Sequence, residues 1–353
     1  MNKKIIIVTP ALGKGGAETQ LIKIARFLKL QNKEILIISL KHKNDFSAIL
    51  MQEGINVLLL KNNWTLNFIP NIYNLFRTIK NYKPDVTIAF MFIAIIVARI
   101  LKGCFRFRLI SSVRAARIDK KWEAMFRLTS KLDDIVVFNS FASKAIFEKD
   151  NLTRKEGIVI KNAVTVPYYD CLEITTNGPF KWISVAHFRV DKDYQTLFKA
   201  IAILKKNNFQ IDIIGDLYDL KWPEQMILEL GIQDRVNLLG FKSDCSDYLK
   251  NSNALILSSF SEGMPNAILE AMAYSKPVVA SDIDSISEIF RDFQGGLLFR
   301  TGDPVDLAEK MLAIMKMKEG ELKNMGAAGR INILNNFEES LVLKQWLQLV
   351  ETF

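Results

Sequence analysis

Two glutamates eight positions apart, Glu262 and Glu270, bracket the segment Ser261-Glu262-Gly263-Met264-Pro265-Asn266-Ala267-Ile268-Leu269-Glu270. A carboxylate ahead of a helix can accept hydrogen bonds from sugar hydroxyls. A second carboxylate on the helix can take a vicinal diol such as a ribose. Pro265 suits a first helical position, so the amides around Pro265 and Asn266 open a helix N-terminus, which favours phosphate. Spacing alone fits equally an ordinary loop acid and a surface helix residue. A second cluster is Ser184-Val185-Ala186-His187-Phe188-Arg189-Val190-Asp191-Lys192-Asp193, with two cations and one of the two histidines. Lys192, Arg189 and a donor nitrogen of His187 could stabilise charge on a leaving phosphate. His187 carries a full charge only below about pH 6.5. Gly15-Gly16 is a third candidate, where the missing side chains let a backbone approach a phosphate or acceptor.

Other chemistries lack their residues. His42 and His187 have no motif-spaced nucleophile, so no Ser/His/Asp triad is expected. Three scattered cysteines and two histidines give neither a disulfide framework nor a zinc site. Asp191-Lys192-Asp193 has the outline of a metal-phosphate motif, but its central lysine fits direct phosphate contact better. No metal is therefore expected.

The elements that position these residues read as repeated βα units. Apolar, β-branched runs at 4–8, 35–40, 57–60, 86–90, 108–112 and 134–138 alternate with helical periodicity, as at Leu21, Ile24, Ala25 and Leu28. The pattern restarts at 182–186, 210–214, 236–239, 254–257 and 277–280. Continuous apolar runs suit strands covered on both faces. The turn-rich stretch 165–180 reads as a linker. The expected fold is α/β: two tandem doubly wound, Rossmann-like parallel-sheet domains facing a cleft. The expected boundaries are 1–165 and 166–336, with 337–353 a final helix crossing back to the first domain. Ligands of such sheets bind beyond the carboxyl ends of the strands.

The chain has 353 residues, 49% apolar and 24% charged, which excludes wholesale disorder. Its longest apolar run, Ile88 to Ala98, is 11 residues, where a bilayer needs about 20. It reads as a strand running into a helix, and no signal peptide is read at the start. The net charge of +9 is uneven: residues 1–165 carry 28 Lys and Arg against 12 Asp and Glu, and the remainder carries 19 against 26. Arg99, Lys102, Arg106 and Arg108, interleaved with Phe105 and Phe107, suggest a surface for an anionic membrane or acceptor. The competing reading makes the two phenylalanines core and the charges solvated. No aromatic-interleaved nucleic-acid motif appears, so nucleic acid is not an expected partner.

The Glu262–Glu270 segment resembles the E-x7-E signature of the family 4 retaining glycosyltransferases of GT-B fold. Gly15-Gly16-Ala17-Glu18 is similar to that family's N-terminal glycine loop, Asp134 to Ser140 to the segment closing its first domain, and Leu239-Gly240-Phe241 to its turn near the nucleotide base. The resemblance implies that Glu262 contacts the donor sugar and Glu270 the ribose. It implies that Gly263, Met264, Pro265 and Asn266 place amides near sugar and diphosphate, and that Lys192 binds the diphosphate. His187 stands where the family usually has arginine, and Arg189 could supply the missing charge. Arg114, with Arg117, occupies a cleft-facing position that would meet an anionic acceptor or donor phosphate. The implied activity is metal-independent, retaining transfer from a UDP-, GDP- or other nucleotide-diphosphate sugar. The acceptor would be a saccharide or a lipid-linked hydroxyl, in polysaccharide, lipopolysaccharide or glycolipid assembly. The expected location is cytoplasmic, peripheral at the inner face of the membrane. A nucleotide-sugar epimerase and a non-catalytic nucleotide-sugar-binding protein are the alternatives.

Overall fold

The computed structural model describes residues 3–42, 44–62, 66–168 and 178–353. Residues 169–177 of the expected linker, with Cys171, lie outside the described residues. The chain divides into two compact units, one formed by residues 1–163 and 340–353, the other by residues 164–339.

Unit 1 alternates β1 (Lys4–Thr9), α1 (Gly16–Leu30), β2 (Glu34–Ser39), α2 (Ser47–Gln52), β3 (Asn56–Leu59), α3 (Phe68–Tyr82), β4 (Val86–Phe90), α4 (Phe92–Lys102), β5 (Arg108–Val113), α5 (Lys120–Thr129), β6 (Ile135–Phe138), α6 (Phe141–Lys149) and β7 (Ile158–Val159). All seven strands are parallel, in the order β3-β2-β1-β4-β5-β6-β7. Alternate side chains of a strand face opposite sides, so Ile5 and Ile7 feed one core and Ile6 and Val8 the other. That explains the unbroken apolar runs. The run from Ile88 is indeed a strand that passes into a helix. No helix among the described residues is long and apolar enough to cross a membrane.

Unit 2 repeats the pattern: β8 (Phe180–Val185), α7 (Tyr194–Leu204), β9 (Phe209–Ile214), α8 (Trp222–Glu229), β10 (Val236–Gly240), α9 (Ser246–Asn251), β11 (Ala254–Leu257), α10 (Asn266–Ala273), β12 (Val278–Ser281), α11 (Asp284–Phe290), β13 (Gly296–Phe299), α12 (Pro304–Lys316) and α13 (Glu319–Asn336). Its six parallel strands run β10-β9-β8-β11-β12-β13. The last helix, α14 (Glu339–Thr352), buries Val342, Leu343, Trp346 and Val350 in a core of unit 1, where Trp346 stacks on Phe90 at 6.2 Å.

Of the basic–aromatic surface expected around Arg99 to Arg108, Arg99 and Phe107 are buried, whereas Arg106 and Arg108 are exposed. Arg99 is completely buried: its Nε and Nη2 donate to the two oxygens of Asp133 at 2.8 and 2.5 Å, and Nη1 donates to the Phe126 carbonyl at 2.8 Å. Its position beside Ile95 and Ala98 on the apolar face of α4 explains this. Phe107 is buried, and Phe105 packs edge-on against Phe76 at 5.2 Å. Lys102 and Arg108 both pair with Asp134. Burial opposes ionisation of Asp134, but the bonds from Lys102 and the Leu109 amide outweigh it and hold its pKa below the usual carboxylate value.

Candidate functional site

The glycine at the end of β9 is required by backbone proximity. A Cβ on Gly215 would stand 1.9 Å from the Ala186 carbonyl oxygen and 3.0 Å from the His187 Cα. The loops that follow β8 and β9 therefore touch at their start. At the next strand, Gly240 has φ +67, a left-handed conformation that glycine adopts without strain, and its carbonyl accepts from the Gly215 amide at 3.0 Å. This turn sets the Phe241 ring parallel to the His187 imidazole, 5.9 Å between centroids and 14° between planes. His187 Nδ1 accepts from the Asp216 amide at 3.0 Å, which leaves Nε2 as the protonated nitrogen. Tyr218, in left-handed backbone and half exposed, lies 5.7 Å from the same imidazole, tilted at 47°.

Beyond His187 the chain stays extended at Arg189 and then makes one 3₁₀ turn, Val190–Lys192. Arg189 curls onto Asp191, donating from Nε and Nη2 at 2.9 and 2.8 Å. That hydrogen bond raises the Arg189 pKa. Asp191 is held below the carboxylate range: burial works against it, but the bond from Arg189 and the charge of Lys192 prevail. The charge expected to be free at Arg189 is thus neutralised within the loop. Asp193, left-handed at φ +46, caps α7 by accepting from the Thr196 amide at 3.2 Å. Ser258 anchors the turn by donating to the carbonyls of Lys192 and Asp193, both at 3.0 Å.

Lys192 is thereby delivered to Glu262. Lys192 Nζ donates to Glu262 Oε1 at 2.6 Å, and Ser259 Oγ donates to the same oxygen at 2.6 Å. Ser285 Oγ fixes the Glu262 carbonyl at 2.8 Å. Both side-chain donors share Oε1, and no hydrogen bond to Oε2 is found among the described residues. Gly263, Met264 and Pro265 are buried beside it. Pro265 is the cap rather than the first helical residue, and α10 begins at Asn266. Glu270, one turn along α10 and partly exposed, lies near Cys245 at the cap of α9. Burial, then the Glu270 charge, push the Cys245 thiol up to about 11. The structure therefore brings together Lys192, Glu262 and Arg189 on one side, and His187 and Phe241 on another. Ser259 and Ser285 are partners of Glu262 that the sequence reading missed. Ser259 lies three residues ahead of Glu262, a local spacing that could have signalled it.

The unit 1 candidates behave differently. Gly15 is in extended backbone ahead of α1, and a Cβ there would first meet the flexible Glu18 carboxylate, at 2.4 Å from its Oε2. Arg117 is exposed. Arg114 is buried: Nε donates to Ser112 Oγ at 2.9 Å and Nη1 to Asn162 Oδ1 at 3.0 Å. Its guanidinium lies 5.4 Å from the Phe90 ring and 5.3 Å from Trp346. Burial without a carboxylate partner lowers its pKa to about 9, so it remains a cation at neutral pH. Its Nη2, also buried, has no hydrogen-bond partner among the described residues. Among the described residues no three His, Cys, Asp or Glu side chains group so that they could hold a metal ion.

Residues 174–331 match the model of the family described as Glycosyl transferases group 1. The matched segment contains the whole Lys192–Glu262 cluster. Over 365 residues the chain is 25% identical to the Campylobacter jejuni GalNAc-alpha-(1->4)-GalNAc-alpha-(1->3)-diNAcBac-PP-undecaprenol alpha-1,4-N-acetyl-D-galactosaminyltransferase, covering 98% of each. Against the N-acetyl-alpha-D-glucosaminyl L-malate synthase of Bacillus anthracis it is 28% identical over 166 residues, 46% of this chain and 43% of that one. Among solved structures, Anabaena HepE in complex with UDP-glucose superposes with a TM-score of 0.85 over 99% of this chain and 100% of that one, at 21% identity. The fold is the GT-B type, two Rossmann-like parallel-sheet units.

Proposed function

We propose that the chain is a retaining, metal-independent glycosyltransferase that moves a sugar from a nucleotide-diphosphate sugar to a hydroxyl of a saccharide or lipid-linked acceptor. The observation that carries this reading is the Lys192–Glu262 pair at 2.6 Å, set in the loops beyond the strands of the matched segment. In this reading the bond between the sugar C1 and the diphosphate oxygen breaks while a new C1–O bond forms on the same face. Lys192 stabilises the charge that builds on the leaving oxygen, and the amides opening α10 assist it. Arg189, held by Asp191, adds a weaker contribution. The Oε2 of Glu262 accepts from a sugar hydroxyl, Glu270 takes the ribose, and the Nε2–H of His187 donates to the diphosphate. Phe241 lies against the base. The leaving phosphate takes the acceptor proton. Fixed cations then supply what a metal ion supplies elsewhere.

The likeness to a UDP-glucose-bound protein favours a uridine nucleotide as donor. The relative named for an undecaprenol-linked substrate favours a lipid-linked acceptor, taken by unit 1 at an anionic membrane surface during glycan assembly. Incubating the protein with a panel of nucleotide sugars, with and without chelator, tests the chemistry by proton NMR of the anomeric product. Retained configuration and undiminished turnover in chelator are expected. An inverted product, C2 inversion of the donor, or turnover restored only by manganese or magnesium contradicts the proposal.

A further inference from the structure

The loop after β9 holds an aromatic residue in a backbone conformation that does not suit it. Leu217 to Leu220 form a tight turn, closed by the Leu220 amide donating to the Leu217 carbonyl at 2.9 Å. Its two central residues, Tyr218 and Asp219, are both left-handed, at φ +51 and +60. Turns with positive φ at both central positions are dominated by glycine, asparagine and aspartate. Asp219 fits that preference. Tyr218 lacks the short polar side chain that lets aspartate and asparagine accept this conformation. Strain of this kind persists where surrounding groups fix it, and it gathers at ligand sites.

The groups that fix Tyr218 belong to the candidate site. The Asp216 amide donates to His187 Nδ1 at 3.0 Å, and Asp216 Oδ1 accepts from the Tyr218 amide at 2.9 Å. One residue thereby sets the imidazole and the tyrosine backbone together, and the two rings meet at 5.7 Å. Tyr218 also neighbours Arg189. The hydrogen bond to Asp191 is the main cause of the raised Arg189 pKa, and the charges of Glu262 and then of Tyr218 add to the rise. Tyr218 is 48% exposed, and its hydroxyl has no hydrogen-bond partner among the described residues.

The cations around it are already matched. Arg189 is held by Asp191, and Lys192 meets the carboxylates of Glu262 at 2.6 Å and Asp191 at 3.5 Å. His187, with Nδ1 accepting, offers one N–H. A diphosphate at this place presents more acceptor oxygens than these groups serve, and a phenol supplies a further donor without adding charge. We propose that Tyr218 is a donor-binding residue, held beside His187 by the strained turn so that its hydroxyl donates to the diphosphate of the nucleotide sugar. The assignment rests on the transferase reading for its ligand and adds to it a contact from the loop after β9.

Calorimetry on the full chain first finds which of UDP, GDP, ADP and CDP binds wild type. That nucleotide and its parent nucleoside are then titrated into two variants. Tyr218→Phe keeps the ring against His187 and should lose roughly tenfold in affinity for the diphosphate, as expected for one hydrogen bond to a charged group, and less than twofold for the nucleoside. Tyr218→Gly also releases the strain. It should lose at least as much affinity while melting at or above the wild-type temperature. Undiminished diphosphate binding by Tyr218→Phe overturns the proposal. An equal loss for the nucleoside also overturns it, because the phenol then contacts base or ribose. A lower melting temperature in Tyr218→Gly overturns it as well, because Tyr218 is then a structural residue of the turn. If none of the four nucleotides binds wild type, the transferase reading fails too. If wild type binds and Tyr218→Phe matches it, only the assignment of Tyr218 fails.

Discussion

Each unit carries a cation beyond the carboxyl end of a central strand, and the two cations have opposite surroundings. Arg114, after β5, is buried among neutral acceptors and two aromatic rings. Lys192, after β8, is only partly buried and meets the Glu262 carboxylate at 2.6 Å and that of Asp191 at 3.5 Å. The partners differ: neutral acceptors and rings pack against Arg114, whose buried Nη2 has no hydrogen-bond partner among the described residues, whereas Lys192 lies in a half-open cluster with the carboxylates of Asp191 and Glu262. The same contrast extends to Arg99, whose charge is wholly matched by Asp133 inside unit 1.

The largest effect expected from this contrast is on stability. Asp133→Asn leaves Arg99 buried without its counter-charge and should cost about 3–5 kcal/mol, measured by urea denaturation. A loss below about 1 kcal/mol would mean that Arg99 is not the buried structural cation described here. The corresponding weak point of unit 2 is backbone, not charge. Gly215→Ala forces a Cβ onto the Ala186 carbonyl, and should cost about 1–3 kcal/mol and weaken donor binding through displacement of His187. Unchanged stability and affinity would show that the two loops are free to separate.

Smaller effects appear in the pH dependence. The Asp134 pKa is lowered by folding, so its contribution is complete above the ordinary carboxylate pKa and is lost as pH falls through the lowered value. Asp193 is raised, chiefly by burial, so folding disfavours its charged form and its contribution improves as pH falls. Asp134→Asn should therefore flatten the acid loss of stability below about pH 4, while Asp193→Asn should not. Urea midpoints across that range decide it, and equal flattening in both variants would contradict the assignment.

The doubly wound fold was legible because unbroken apolar runs report burial on both faces. Short edge strands were not: β7 has two residues, and β13 opens on a glycine. Around the site, the motifs gave the residues but not their pairing. Arg189 and Asp191 are two apart in sequence, and only the extended backbone at Arg189 followed by the 3₁₀ turn brings them together. Counting Arg99 with the exposed cations of that cluster ignores helix phase. Ile95, Ala98 and Arg99 share the buried face of α4, a periodicity present in the sequence.

In the proposed reaction Lys192 is the cation that meets the donor, and Arg114 is not. Titrating a panel of nucleotide-diphosphate sugars, beginning with UDP-glucose, into wild type, Lys192→Ala and Arg114→Met by calorimetry compares them in one experiment. At least one nucleotide sugar should bind wild type. The Lys192 variant should lose about 10²-fold or more, in line with a charge-assisted contact worth about 3 kcal/mol, and the Arg114 variant should bind within about threefold of wild type. Undiminished binding to the Lys192 variant, or equal losses in both, would contradict it.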